Sequence, residues 1–134
     1  MTPQEIFDTV ARHLFTQGKQ STDYVSCLYR GPEGTKCAVG ILIPDAAYDG
    51  DMEGCSIAGL FDPDACKLDE LSLPAWMEEH VNLLQRLQNV HDMPDHWVSD
   101  ERMRWELSLA AQTFGLDDSV LPGLSFNRPE GHNA

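Results

Sequence analysis

The sequence predicts an α+β fold: a mainly helical single domain with three principal helices packed around a small β-hairpin built from Tyr24 to Ile43. Two observations carry this reading. Apolar residues recur at three-to-four spacing in three long segments, and two runs of strand-forming residues flank the turn sequence Gly31-Pro32-Glu33-Gly34. A chain of 134 residues suits one core, burying roughly two thirds of the surface its unfolded form exposes. The expected division is a globular domain over residues 1–118 and a mostly irregular tail over 119–134.

The first helix runs from Pro3 to Gln17. Thr2 is its N-cap, Pro3 its first helical residue, and Glu5 completes a capping box. Ile6, Phe7, Val10, Leu14 and Phe15 form one apolar stripe, and Gly18 supplies a left-handed stop. After a polar link, Tyr24 to Arg30 reads as one strand and Thr35 to Ile43 as its partner. The alternative is a short buried helix starting at Cys37, because Ala38 and Leu42 are good helix formers and the run is too short for periodicity to decide.

Pro44 to Gly54 is expected as a loop with one helical turn around Asp45 to Tyr48, Ser56 to Phe61 as a further short helical turn, and Asp62 to Ser72 as an acidic irregular stretch with a turn of helix in its middle. A long helix then spans Pro74 to His91 through Met77, Val81, Leu84, Leu87 and Val90, and Asp92 and Pro94 end it. Its Val81, Leu84 and Leu87 side is expected to pack on helix one. Ser99 caps the third helix, Asp100 to Phe114, with Met103, Leu107, Ala110 and Phe114 inward and Gly115 as its stop. Leu121, Leu124 and Phe126 are positioned to dock the tail.

No apolar run approaches the roughly 18 to 20 residues of a membrane span, and the amino terminus lacks the basic-then-apolar pattern of a secretory signal. No membrane association is expected. A cytoplasmic location follows as the expectation, and with it four reduced thiols at Cys27, Cys37, Cys55 and Cys66. The net charge of −13 disfavours direct contact with nucleic acid, which needs clustered Lys and Arg. Between Ala38 and Gln85, Lys67 stands alone against Asp45, Asp49, Asp51, Glu53, Asp62, Asp64, Asp69, Glu70, Glu78 and Glu79, a local balance of one minus ten, or −9. Such a field attracts a cationic protein surface. Asp45, Asp49, Asp51, Glu53, Asp62, Asp64, Glu78 and Glu79 are therefore the candidate partner-binding residues.

Catalysis offers one alternative constellation. Cys37 follows Lys36, and a thiol in an electropositive setting can ionise and attack a carbonyl, with His80 or His91 as base and Asp92 or Asp45 as its orienting acid. No cysteine-enzyme signature surrounds Cys37, so a structural role for it is expected. No metal and no cofactor are expected either. The nine residues between Cys27 and Cys37 lack the spacing of common zinc sites. His80 and His91 lie about 16 Å apart along a helix. Asp45, Asp49, Asp51 and Glu53 lack the order of an EF-hand loop. Trp76 begins one helix, Trp97 sits in the connection and Trp105 lies off the inward stripe of the last helix, as core plugs or as parts of a binding surface.

The segments CLYRGPEGTKCAVGILIPDAAYDGDMEG (Cys27 to Gly54) and LLQRLQNVHD resemble a group of small, largely uncharacterised proteins of bacteriophages and prophages. KCAVGILIPD and YDGDMEG are the most specific parts, and the resemblance covers roughly Ile6 to Leu116. It implies an accessory protein acting inside a bacterial host, and brings no catalytic residues. The expected function is binding and modulating a host protein that has a basic surface, by way of the acidic surface and by nucleic-acid mimicry. A cysteine-dependent hydrolase or transferase centred on Cys37 and a binder of small ligands or nucleotide derivatives are the alternatives.

Overall fold

Amphipathic helices frame the chain in a computed structural model that describes residues 1–66 and 73–128. Lys67, Asp69 and Glu70 of the acidic interval lie outside the described residues. Helix α1 (Pro3–Gln17) starts as its sequence dictates: the Glu5 amide donates to Thr2 Oγ1 at 3.2 Å and the Thr2 amide to Glu5 Oε1 at 2.9 Å. Ile6, Phe7, Val10 and Leu14 are wholly buried. Gly18 ends the helix at φ +73° and returns its amide to the Leu14 carbonyl. A β-carbon there would fall 2.5 Å from the Asn127 carbonyl oxygen, so this glycine also lets the tail cross the helix end.

A one-turn helix α2 (Pro63–Cys66) precedes the segment expected as one helix from Pro74 to His91. That segment is two, α3 (Ala75–Glu79) and α4 (Val81–Asp92), broken at His80 (φ −118°, ψ 29°). Met77 before the break and Leu84 and Leu87 after it are all fully buried, so the apolar period continues across a break that it cannot reveal. Helix α4 packs on α1 and on α5 (Asp100–Thr113), which begins at Ser99 Oγ accepting the Arg102 amide. The tail is tied down as far as Arg128. Phe126 stacks on Trp97 with centroids 5.5 Å apart, and the Asn127 amide donates to the Phe15 carbonyl.

The expected β-hairpin is absent: the described residues contain no strand, and the α+β class is corrected to a mainly helical fold without a sheet. Two isolated antiparallel bridges remain, Thr22 with Cys27 and Arg30 with Lys36. The residues read as a first strand instead make a tight turn. Asp23 Oδ1 accepts the amides of Val25 and Ser26, and Tyr24, at φ +74°, is 98 % exposed. Beyond Lys36 the chain turns helical, with a 3-10 turn at Gly40–Leu42, close to the alternative weighed for Cys37. The physical reason lies in the ladder groups, several of which are occupied by side chains. Gln17 Oε1 accepts the Lys36 amide, His13 Nε2 and Gln17 Nε2 reach the Lys36 carbonyl, and Gln88 Oε1 accepts the Val39 amide.

The expectation of four thiols is also corrected. Cys55 and Cys66 form a disulfide that ties the turn after Met52 to α2, while Cys27 and Cys37 are free. The 3-10 turn Ala58–Phe61 folds the chain back and brings the two sulfurs together, a proximity that their spacing in sequence does not announce.

Candidate functional site

The Cys27–Gly54 stretch closes on itself around Tyr29 and Arg30. Glu53 Oε1 accepts the Tyr29 amide at 2.8 Å, and its Oε2 accepts the Arg30 amide at 3.0 Å and the Tyr48 hydroxyl at 2.7 Å. Arg30 then reaches forward, donating to the Ile43 carbonyl and to Asp45 while its guanidinium lies over the Tyr48 ring. Gly40 is required by contact: a β-carbon would fall 2.1 Å from the Tyr29 carbonyl oxygen. Cys37 is buried and its sulfur accepts the Gly40 amide, as a capping oxygen would. The motif residues thus hold one another in place.

Beside this buckle lies a cavity of about 360 Å³. Cys27, Leu28, Tyr29 and Cys37 form one wall, the Gly54–Ile57 turn a second, and Gln85, Gln88 and Asp92 of α4 a third. Asp92 Oδ1 accepts from Gln88 Nε2 at 2.7 Å and from His91 Nδ1 at 2.8 Å. His91 is wholly buried, and its Nε2 accepts the Ser21 amide at 3.0 Å. An amide can only donate, so the ring proton of neutral His91 sits on Nδ1, facing Asp92.

This assignment decides what the cluster can do. Cys27 Sγ, a His91 ring nitrogen and an Asp92 oxygen lie within 4.8 Å of one another, the span of a three-ligand metal set. A neutral imidazole has one ring lone pair, and the Ser21 amide holds it. Metal coordination would require breaking that bond or stripping the Nδ1 proton, so the trio fits a hydrogen-bond network better than a metal centre. The same occupancy denies His91 a lone pair with which to deprotonate a thiol. Burial, with the Asp92 charge adding to it, pushes the Cys27 thiol up to about 12. Burial also drives Cys37 to about 12, against the opposing pull of the Gly40 amide. Both are thiols, not thiolates, at neutral pH.

The residues singled out from sequence are scattered by the fold. Cys37 and Asp92 line the same cavity from different walls, His91 is hydrogen-bonded to Asp92, and His80 is half-buried at the α3–α4 break. Among the described residues no histidine is hydrogen-bonded to Cys37. Asp49, Asp51, Asp62, Asp64, Glu78 and Glu79 are exposed, and none forms an ion pair among the described residues. Asp45 is exposed but paired with Arg30 and Lys36, and Glu53 is half-buried in the clamp described above. Cys27 and Gln88 were not singled out for the cavity. The four-residue spacing of Gln88 and Asp92 on one helix was the available signal. Nothing in the local sequence marked Ser21. Among the described residues no helix is long and apolar enough to cross a membrane. No protein-family model, no curated protein and no solved structure matches this chain.

Proposed function

We propose that the protein is a non-catalytic accessory protein of a phage or prophage that acts in the bacterial cytoplasm. It binds a host protein with a basic surface through the acidic residues from Asp49 to Glu79, in the manner of a nucleic-acid mimic. The observation that carries this reading is the set of six exposed carboxylates without ion-pair partners among the described residues. Such charges speed encounter with a cationic surface and cost little stability when screened. The cysteine-enzyme alternative has less support, because Cys37 is buried as a neutral thiol and His91 has no free lone pair. In a reducing cytoplasm Cys55 and Cys66 would be a dithiol, so on this reading partner binding does not require the disulfide.

The test is capture from bacterial lysate at low and moderate salt, followed by association kinetics with the captured protein. The quadruple variant Asp49→Asn, Asp51→Asn, Glu78→Gln, Glu79→Gln should associate more slowly, and association of the parent should slow as salt rises. Kinetics indifferent to both changes would end the reading. Glu53 is kept unchanged because its carboxylate holds the fold.

A further inference from the structure

We propose that the cavity between Cys27–Tyr29, the Gly54–Ile57 turn and α4 is a binding site for an alkyl cation, a protonated amine or guanidinium, with Asp92 as its counter-ion. The proposal goes beyond the acidic-surface reading and stands whether or not that surface engages a partner.

Asp92 carries the argument. It is the last residue of α4, where the helix dipole is negative and a carboxylate is unfavourable. Among the described residues it has no lysine or arginine partner, and none of them that lines the cavity is a lysine or arginine. Its partners are neutral: His91 and Gln88 both donate to Oδ1, and the Cys27 thiol also lies in hydrogen-bond contact with the carboxylate. The side chain is 39 % exposed. The charge is therefore held by neutral donors, with no lysine or arginine beside it among the described residues. Its field is felt by several groups: it raises the affinity of Cys27, Tyr29 and Cys37 for their protons, in addition to the larger effect of burial.

The rest of the cavity suits the stem of such a ligand. Leu28, Ile57 and the three cysteines Cys27, Cys37 and Cys55 offer apolar and polarizable contact around the polar end at Asp92. A volume of about 360 Å³ is near the small end of ligand sites. It accommodates a butylammonium group or a Lys or Arg side chain, and is too small for a dinucleotide. Both sources share the same chemistry, an aliphatic chain ending in a cation.

The experiment uses the full chain at neutral pH and follows amide proton–nitrogen NMR spectra during titration with n-butylammonium, with 1-pentanol as the uncharged probe of similar size. The expected result is saturable shifts at the Gln88 side-chain amide and at the amides of Leu28, Gly54 and Asp92 with the amine, and none with the alcohol. Asp92→Asn keeps an oxygen for His91 and Gln88 but removes the charge, and should weaken amine binding at least tenfold. Gln85→Lys places a cation at the cavity edge and should give the same loss, independently of how Asp92→Asn folds. Acetyl-Gly-Lys-Gly-amide distinguishes the sources: tighter binding than butylammonium assigns the site to a protein side chain, weaker binding to a free amine. Equal shifts with 1-pentanol, shifts confined to the exposed acids of Asp49 to Glu79, or parental affinity in either variant would overturn the proposal.

Discussion

Past their first turns, α1, α4 and α5 satisfy each amide from the carbonyl one turn earlier, and they bury stripes such as Ile6–Val10–Leu14 and Leu84–Leu87. The segment from Gln20 to Asp62 is built otherwise. Its amides at Tyr29, Arg30, Lys36 and Val39 are satisfied by the side chains of Glu53, Gln17 and Gln88, and those at Val25 and Ser26 by Asp23. The difference teaches that polar side chains can take the place of a neighbouring strand. A backbone held this way is specified by individual residues rather than by a period, and each clamp is a separate point of failure.

The largest expected effect lies in the frame. Leu84→Ala empties a fully buried position on α4, which packs on α1 and α5, and should cost about 2–5 kcal/mol, read as a lower midpoint in denaturant. An unchanged midpoint would mean that the stripe does not support the frame as described. Opening the Cys55–Cys66 disulfide, by Cys55→Ala or by reductant, releases a short loop and should cost about 2 kcal/mol. The same denaturant titration, run with and without reductant, measures it.

Glu53→Ala sharpens the comparison, because the described hydrogen-bond partners of Glu53 lie outside the helices and the change strips the acceptor from two amides and a hydroxyl. The expected cost is about 1–3 kcal/mol, with Glu53→Gln falling between it and the parent. A smaller effect is expected at His13, which burial holds below its ordinary pKa near 6.5 despite its bond to the Lys36 carbonyl. Because the unfolded ring then binds protons more readily than the folded one, stability is complete above pH 6.5 and declines as pH falls toward the folded value. Melting curves of His13→Gln should lose that slope, while the depressed carboxyls of Asp23, Glu33 and Asp45 act only below about pH 5. Asp49→Asn with Asp51→Asn should alter stability by about 0.5 kcal/mol or less. A larger loss in the same melts would mean that these acids are structural as Glu53 is.

The frame was legible because caps and stripes are local. Thr2, Pro3, Glu5 and Gly18 bound α1, and Ser99 and Gly115 bracket α5. The break at His80 was hidden by apolar residues buried on both sides of it. Tyr24 and Val25 read as strand formers, yet on an Asp23-capped turn both are almost fully exposed, since propensity describes fitness for a sheet that no neighbour supplies here. Glu53 counted as surface charge because composition does not reveal which amides a carboxylate will meet. At the cavity, Cys37, His91 and Asp92 were visible as reactive types. Their roles depend on Ser21 and Gln88, which approach only through tertiary folding.

Amide hydrogen exchange at single-residue resolution tests the side-chain clamp most directly. In the parent protein the Tyr29 and Arg30 amides should be protected, and in Glu53→Ala they should exchange at least tenfold faster, while the Leu84 and Leu87 amides of α4 keep the larger part of their protection. Unchanged protection of Tyr29 and Arg30 in Glu53→Ala would contradict the account.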